Sequence, residues 1–309
     1  MKRYDVLVVG DLNVDIIIGG MTTLPALGTE EVGDQFDFRG GGSSGNCAVA
    51  LSRIGLQVAF MGLVGQDPFG DFLLDNMRAQ GVATDYLRRT DRVKTGATVS
   101  LSLAHDRALA TYLGTIAALS YDDLDLGALE ACRHLHLGSY FLLQGLRGSY
   151  CRLFAAARQA GLTTSLDLGW DPAQKWNGEL PELLSLVDVF LPNAEEAVHV
   201  TGAPDPQAAL SALAPQVPVA VVKMGDQGSA AAAEGQTYRQ PAFPVTVQDT
   251  TALGDCFNAG FLRAWLSGAP VPQALAWGNA AAALAASRLG DDRYPTAAEV
   301  NALLGGKQP

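Results

Sequence analysis

The sequence predicts an α/β fold with a mostly parallel central sheet and a small antiparallel β lid. Short runs rich in β-branched residues alternate with amphipathic segments over most of the 309 residues, which is typical of right-handed βαβ units. Two regions, 11–38 and 94–115, contain stretches that break this alternation with polar residues at every second position. We therefore expect one domain over residues 1–309, with a discontinuous lid built from these two regions.

Hydrophobic periodicity predicts the individual elements. Apolar runs predict strands at 6–10, 58–65, 134–138, 163–168, 187–192 and 219–225. Amphipathic spacing predicts helices at 43–54, 67–80, 146–160, 193–201 and 206–213, and a mainly helical region after 255. The lid is predicted to contain 11–19, 32–38 and two strands within 96–113 that join at His105–Asp106.

The first strand within 96–113 has two different faces. One face carries the polar side chains Thr98, Ser100 and Ser102, and the other carries the apolar side chains Val99, Leu101 and Leu103. Because the apolar face is too large to leave in water, we expect it to cover the substrate, a partner subunit or both.

Composition and charge exclude several classes of protein. A hydrophobic content of 48% with 17% charged residues indicates a well-packed protein, and a net charge of -11 argues against nucleic-acid binding. The longest apolar stretch, 280–286, is too short to cross a bilayer, and the first residues predict no signal peptide. The four cysteines form no CxxC pair, and His134 and His136 are expected to pack in the core. These features favour a cytoplasmic protein without a structural metal.

The most informative motif is Asp249-Thr-Thr-Ala-Leu-Gly-Asp-Cys-Phe-Asn-Ala-Gly-Phe261. An apolar stripe begins at Phe257, so a helix is predicted to start near 253–255, with Gly254 allowing a tight turn into it. Helix N-termini attract phosphate through free N–H groups, and Asp255 would stand beside them as a proton acceptor. An ordinary first-turn aspartate without a catalytic role fits the same pattern.

Three further segments carry polar groups with alternative interpretations. A glycine run, 40–45, precedes a helix and places Asn46 where a ligand can approach the backbone, although flexible turns look alike and no Walker pattern is present. Asp11, Asn13 and Asp15 alternate on one strand face, which suits either vicinal hydroxyls or the wet side of an edge strand.

The third segment follows the strand at 187–192, at the end where open α/β sheets bind ligands. Here Asn193 and Glu196 fit either a water-mediated Mg²⁺ site or a simple helix cap. Lys223, at the end of a later strand, is placed to touch a phosphate.

Taken together and in this order, the motifs resemble the ribokinase-like (PfkB) carbohydrate and nucleoside kinase family, from 6–10 to about 290. The family's N-terminal pattern is matched by Gly41, Gly42, Asn46, Ala48 and Ile54-Gly55. Its C-terminal pattern, DTxGAGD, is matched by Asp249, Thr250, Gly254 and Asp255, with Ala252 and Leu253 replacing the first glycine and the alanine. The resemblance implies a ribokinase-like three-layer sandwich that transfers the γ-phosphoryl group of ATP to a hydroxyl of a sugar or sugar-like substrate.

The resemblance also implies roles for individual residues. Asp255 would be the general base, and the backbone N–H groups of Ala252, Leu253, Gly254 and Asp255 would form an anion hole. The substrate hydroxyls would be held by Asn13, Asp15, Gly41, Gly42 and Asn46. Mg²⁺ and ATP would be ordered by Asn193 and by Glu196, the latter through water. The rest of the nucleotide site would be lined by Lys223, Gly225, Gly228 and Asn279.

Three further expectations follow from the resemblance. A monovalent cation such as K⁺ is expected near Asp249 and Thr251, with carbonyls close to Gly290, although the segment DDRYP after Gly290 departs from the family's pattern. Lids of this family often pair between subunits, which implies a homodimer. Ser43 stands where ribokinases often carry a lysine, so the resemblance does not single out a ribokinase. Because the lid has no cluster of Lys and Arg, a neutral sugar is favoured over a sugar phosphate.

Two alternatives to a sugar kinase remain at this point. A nucleoside kinase of the same family is the first alternative, with a nucleoside as the second choice of substrate after a neutral sugar. A non-catalytic sugar-binding regulator is the alternative from another class, and it would be expected to lack Asp255, which is present. The sequence does not identify the particular sugar or the hydroxyl that is phosphorylated.

Overall fold

The structure is a computed structural model that describes residues 2–103 and 107–306. Its strands are β1 (Tyr4–Val9), β2 (Asn13–Gly19), β3 (Gln35–Gly41), β4 (Val58–Gly65), β5 (Ala83–Thr90), β6 (Gly96–Ser102), β7 (Arg107–Tyr112), β8 (Cys132–Leu137), β9 (Thr163–Leu166), β10 (Val189–Phe190), β11 (Val219–Lys223), β12 (Ser229–Ala233) and β13 (Gln236–Gln240). Its helices are α1 (Ser43–Arg53), α2 (Pro68–Ala79), α3 (Thr115–Ala118), α4 (Ala128–Ala131), α5 (Tyr150–Gln159), α6 (Leu180–Leu184), α7 (Ala194–Thr201), α8 (Pro206–Leu213), α9 (Leu253–Leu266), α10 (Val271–Ala286) and α11 (Ala297–Leu304).

Nine of the described strands form the central sheet, in the order β13-β12-β11-β10-β9-β8-β1-β4-β5. Pairing is parallel from β5 to β11, and the β11–β12 and β12–β13 pairs at one edge are antiparallel, so that β12 alone of these nine strands runs in the opposite direction. Alternate residues of β1 enter two separate buried clusters, because Val6 and Val8 face one side and Leu7 and Val9 the other. Helices α1, α2, α9 and α10 cover the first side, and α5, α6 and α8 cover the second. The predicted three-layer α/β fold is confirmed.

The remaining four described strands form the lid sheet, in the order β3-β2-β6-β7. Its two outer pairs are antiparallel, whereas the central pair, β2 and β6, is parallel. The register puts Asp15 in one row with Arg39 and Thr98. The predicted junction of the two lid strands at His105–Asp106 lies outside the described residues.

The apolar face of the lid sheet turns away from the row that contains Asp15. Val99 lies in the next row, beside Ile16, and the same row contains Phe38. Phe38 packs against Phe69 and Phe72 of α2, with ring centroids 5.8 and 4.6 Å apart. Part of the apolar face therefore contacts the main layer, and the polar face carries the residues predicted to bind the substrate.

Three of the described strands were not predicted from the sequence, and a fourth was predicted three residues too early. β5, β12 and β13 were missed, and the predicted lid strand at 32–38 forms three residues later, as β3. β3 extends into glycines 40 and 41 because pairing with β2 continues to Asn13. No helix in residues 2–103 or 107–306 combines the length and hydrophobicity that a membrane crossing requires.

Candidate active site

A cleft of about 750 Å³ lies where β9, β10 and β11 end, and helices α9 and α10 close its other side. This is the edge of a parallel sheet at which α/β proteins bind ligands. The structure brings nine of the predicted site residues into its lining: Asn193, Glu196, Lys223, Gly225, Gly228, Leu253, Gly254, Asp255 and Asn279. The predicted groups at Asn13, Asp15, Gly41, Gly42, Asn46, Asp249, Thr251 and Ala252 lie outside that lining.

Asp255 stands in the first turn of α9, with 7% of its surface exposed. The turn before the helix is tight, because Ala252 adopts a left-handed conformation with φ of 61°. The hydroxyl of Ser43, from the first turn of α1, donates a 2.6 Å hydrogen bond to Oδ1 of Asp255. Burial raises the pKa of Asp255 to about 7, even though Ser43 favours the ionised form.

Lys223, at the end of β11, forms a buried ion pair beside the start of α9. Its Nζ lies 2.8 Å from Oδ2 of Asp167 and 3.2 Å from Oδ1 of Asn258, and Asn258 also donates to Asp167. Burial works against the charge of Lys223, but the carboxylates of Asp167 and Glu196 outweigh it and raise its pKa. The lysine is therefore held as a cation within the cleft.

Asp167 and Asn258 are site residues that the sequence analysis missed. Asp167 is 4% exposed and follows β9 directly. Burial alone would raise the pKa of Asp167, but the charge and hydrogen bond of Lys223 hold it below its ordinary value. A carboxylate at the end of a predicted buried strand was the available signal, whereas nothing local marks Asn258.

The turn between β10 and α7 contains the helix cap, one of the two alternatives that the sequence left open. Asn193 accepts a hydrogen bond from the backbone N–H of Glu196, and the Glu196 carboxylate accepts one from the backbone N–H of Asn193, both at 2.9 Å. This is a capping box. Glu196 nevertheless also lines the cleft, and burial together with the charge of Asp167 raises its pKa to about 7.

The other end of the cleft is formed by backbone and small side chains. Gly228 has φ of 84°, and a Cβ there would come within 2.1 Å of the Gln240 carbonyl oxygen, so only glycine fits. Asn279 donates to the carbonyls of Gln240 and Pro241 at 2.9 and 3.0 Å, which fixes the segment leading into the cleft wall. That wall is mostly apolar and includes Ala242, Phe243, Pro244, Val245, Val247, Ala282 and Ala283.

Four of the predicted substrate residues meet where the lid joins the main layer. Asn13 donates a 2.8 Å hydrogen bond to Asp15, and burial raises the pKa of Asp15. A Cβ at Gly41 would lie 2.4 Å from the Asp15 carboxylate, and one at Gly42 would lie 3.1 Å from Oδ1 of Asn13. The sequence analysis missed Arg39, which stands in the same row as Asp15.

Asp11 and Asn46 are engaged within the fold. The Asp11 carboxylate accepts hydrogen bonds from the backbone N–H groups of Ser43 and Ser44, at 3.0 and 2.8 Å. It therefore stabilises the start of α1, and it lies outside β2, the strand that carries Asn13 and Asp15. Asn46 accepts a 2.9 Å hydrogen bond from the hydroxyl of Tyr294 and lines a small separate pocket that also borders Gly41.

The predicted cation ligands do converge, but they surround a protein side chain. Asp249 accepts a 2.7 Å hydrogen bond from the backbone of Thr251, and its other oxygen lies 3.2 Å from Nη1 of Arg293. The same guanidinium donates to the carbonyls of Gly290 at 2.6 Å and of Thr251 at 3.4 Å. The residues present do not fit a bound monovalent cation, because an arginine already occupies its expected place.

Comparisons with known proteins agree with this geometry. The model of the pfkB family of carbohydrate kinases matches residues 4–297. The chain is 28% identical to a ribokinase of Haemophilus influenzae, over 93% of this chain and 94% of that protein. It is 30% identical to a 2-dehydro-3-deoxygalactonokinase of Haloferax volcanii, over 89% of this chain and 91% of that protein. The structure of an Arabidopsis thaliana ribokinase complexed with ribose and ATP superimposes with a TM-score of 0.85, at 26% identity, covering 98% of this chain and 99% of that one.

Proposed function

Because the chain belongs to the pfkB family of carbohydrate kinases, we propose that it transfers the γ-phosphoryl group of ATP to a hydroxyl of a small neutral sugar, with Asp255 as general base. The observation that carries this proposal is the position of Asp255, buried in the cleft beside the first N–H groups of α9. A base at this point accepts the hydroxyl proton while the same helix end stabilises the transferred phosphoryl group.

The environment of Asp255 suits a general base at neutral pH. With a pKa of about 7, the carboxyl is largely ionised just above neutrality and is still basic enough to take a proton. The hydrogen bond from Ser43 shows that a hydroxyl can donate to this carboxylate at 2.6 Å. We propose that the substrate hydroxyl donates in the same way immediately before the phosphoryl group is transferred.

Negative charge that develops during transfer would meet two sources of positive potential. One is the start of α9, where backbone N–H groups within 252–255 have no hydrogen-bond acceptor inside the helix and can point to a phosphate. The other is Lys223, whose Nζ lies 3.5 Å from the position a Cβ would take at Gly254. Because Asp167 keeps Lys223 protonated, the ammonium and the helix end can act on the same phosphate.

The residues present fit an ATP–Mg²⁺ complex in the remainder of the cleft. The apolar wall, which includes Phe243, Val245 and Ala283, suits a flat base, and the glycine turns at 225 and 228 allow phosphates to approach the backbone. Mg²⁺ prefers oxygen donors and usually keeps several waters, so the Glu196 carboxylate would hold it, with Asn193 alongside. When bound, the ion would neutralise charge on the phosphates.

The charges near Asp15 support a neutral substrate. Arg39 is 14% exposed and lies 3.4 Å from Asp37 and 3.9 Å from Asp249, so its charge is already balanced. An anionic sugar would also meet the carboxylates of Asp15 and Asp255. We propose that Asn13 and Asp15, with Gly41 and Gly42, hold vicinal hydroxyls of the sugar, and that Asn46 contributes at the edge of this group.

A substrate panel tests the proposed function. ATP consumption is measured with pentoses, hexoses, sugar acids and nucleosides, and Asp255→Asn serves as the inactive control. We expect the highest kcat/KM with a neutral sugar. A clear preference for nucleosides would replace the sugar by the nucleoside alternative. Tight sugar binding by calorimetry without any ATP consumption would favour the non-catalytic regulator.

We further propose that the protein acts in the cytoplasm and that residues 1–309 form one kinase domain. In support of the location, all four cysteines, which lie within the described ranges, are free thiols. In support of the single domain, Val14 of the lid belongs to the same buried cluster as Val8 of β1 and Leu73 of α2. A single cooperative unfolding transition, followed by two different probes, would test the second proposal.

A further inference from the structure

A buried arginine lies at the centre of the predicted monovalent-cation site. Arg293 ends a short 3-10 turn at Gly290–Arg293 and is 2% exposed. Its guanidinium contacts one carboxylate oxygen, from Asp249, and two backbone carbonyls, those of Gly290 and Thr251. A carboxylate and carbonyl oxygens are the ligands that a hard cation would use, and here they all surround a cation that belongs to the chain.

The electrostatics of this site disfavour an additional cation. The Asp249 carboxylate already pairs with Arg293, and a second arginine, Arg39 from the lid, which also pairs with Asp37, lies 3.9 Å from the same oxygen. A metal ion within contact of Asp249 would therefore meet two guanidinium groups in a largely buried place. Bringing like charges together away from water is costly unless each has its own counter-charge.

The contacts of Arg293 also bear on the reacting end of α9. The Asp249 carboxylate accepts a hydrogen bond from the backbone N–H of Thr251, and Arg293 donates one to the carbonyl of the same residue. The next residue, Ala252, keeps a left-handed conformation that is uncommon without glycine and needs support from its surroundings. This turn determines where the first N–H groups of α9 point.

We propose that Arg293 is a built-in replacement for the monovalent cation, so that this kinase works without K⁺. The guanidinium acts as a positioning residue, because it holds the turn 249–252 and touches neither reacting group. This inference rests on the proposed kinase function. It applies, however, to a structural site that can be tested without knowing the sugar.

The first test compares salts in the unaltered protein. Phosphoryl transfer, binding of a non-hydrolysable ATP analogue and the melting temperature are measured in KCl and in tetramethylammonium chloride at equal ionic strength. We expect activity and analogue affinity to differ by less than about two-fold, well below typical coupling between linked sites. Activation by K⁺ beyond that limit would overturn the proposal. Analogue binding and melting need no sugar, so they remain informative if the proposed substrate class is wrong.

The second test removes the arginine. Arg293→Ala leaves the Asp249 carboxylate and the two carbonyls facing a space that a cation can enter. We expect activity in tetramethylammonium chloride to fall at least about ten-fold and to recover with K⁺ or methylguanidinium, as expected for a linked effector site. The same cations should raise the melting temperature of this variant.

Arg288→Ala is the matched control, because this arginine belongs to the same segment but pairs with Glu299 at 2.8 Å. It should lose neither activity nor independence from K⁺. Full activity of a folded Arg293→Ala variant in tetramethylammonium chloride, or a loss that neither cation restores, would refute the proposal. If the variant does not fold, the salt comparison on the unaltered protein decides the question.

Discussion

At the scale of single residues, the chemistry of Asp255 is governed by burial. Asp255→Asn keeps the shape of the side chain and can still accept the hydrogen bond from Ser43, but it cannot take a proton. We expect kcat to fall about 10²–10⁴-fold, the usual contribution of a positioned base, while the affinity for an ATP analogue changes little. Steady-state kinetics with the best substrate of the panel measures the first quantity, and calorimetry measures the second.

The stability of the same variant provides an independent control. A carboxyl whose pKa rises from 3.8 to about 7 on folding destabilises the folded state when it is ionised. That penalty is absent at a pH below the ordinary pKa of 3.8 and complete at a pH above the raised pKa of about 7. Asp255→Asn should therefore be more stable than the unaltered protein at alkaline pH, and the difference should shrink as the pH falls toward 3.8. Near-normal turnover in such a folded variant would remove Asp255 from the mechanism.

In the proposed mechanism, the hydrogen bond from Ser43 influences the pH above which Asp255 can act as the base. Because a base must be ionised, kcat/KM should rise with pH and level off above a pKa of about 7. The hydrogen bond from Ser43 favours the ionised form, so Ser43→Ala should raise the pKa and shift the acidic limb to higher pH. Ser52→Ala is the control, because its hydroxyl bonds the Gln80 carbonyl near the other end of α1. An unchanged acidic limb in Ser43→Ala would show that another group controls it.

At the scale of elements, two aspartates close together in sequence have different roles. Asp11 stabilises the start of α1 through two backbone N–H groups, so Asp11→Ala should lower the free energy of unfolding by about 1–2 kcal/mol. Asp15 stands in β2 beside Asn13, where we propose that the sugar binds, so Asp15→Ala should weaken sugar binding by about 1.5–3 kcal/mol. Urea unfolding and isothermal titration measure these two quantities.

The two variants serve as controls for each other. Asp15→Ala should keep nearly normal stability, because burial already raises the pKa of the carboxyl that it removes. It should also keep the affinity for an ATP analogue. An equal loss of sugar and analogue affinity would count against placing the sugar beside β2.

Most elements of the main layer could be predicted because their signals are local. α8 and β4 agree with the predicted bounds residue for residue, since each combines a clear period with breakers at both ends. β12 could not be predicted, because Ser229–Ala233 is almost entirely alanine, the strongest helix former. It becomes a strand because it pairs with β11 on one side and β13 on the other. Tertiary pairing overrides propensity there.

The same distinction separates the predicted site residues from the missed ones. Asp255 lies in a motif that can be read within a few residues, as do Asn193 and Glu196. Asp167 acquires its importance from Lys223, 56 positions later, and Arg293 acquires its own from Thr251, 42 positions earlier. Contacts between residues so far apart produce no periodic pattern in the sequence. The partner of an isolated Asp or Arg can therefore be identified only once the fold is known.

At the scale of the whole molecule, the lid is joined to the main layer but also leaves apolar surface exposed. Phe38 packs on α2, and Arg39 approaches Asp249 at the turn before α9. On the same face as Phe38, Phe36 is 73% exposed and Tyr112 is 54% exposed. These two aromatic residues lie on the opposite edge strands β3 and β7, and the half-buried Val99 lies between them, so apolar surface extends across this face and indicates a contact surface. We propose that a second copy of the chain covers this face.

Val99→Asp tests this pairing, because Val99 is half-buried in the middle row of the apolar face, beside Ile16. A charge there should weaken dimerisation, since an unpaired carboxylate would be buried in the interface. Stability of the main layer should change little, because Val99 is only half-buried and, unlike Phe38, is not packed against the buried cluster on that side of the sheet. Sedimentation over a range of concentrations measures the association, and Val99→Thr, which has nearly the same shape and no charge, is the matched control. An unaltered protein that sediments as a monomer at every concentration would contradict the pairing. Collapse of the fold in Val99→Asp would show instead that β6 belongs to the main core, because a charge buried in a core is among the few substitutions that destabilise a protein strongly.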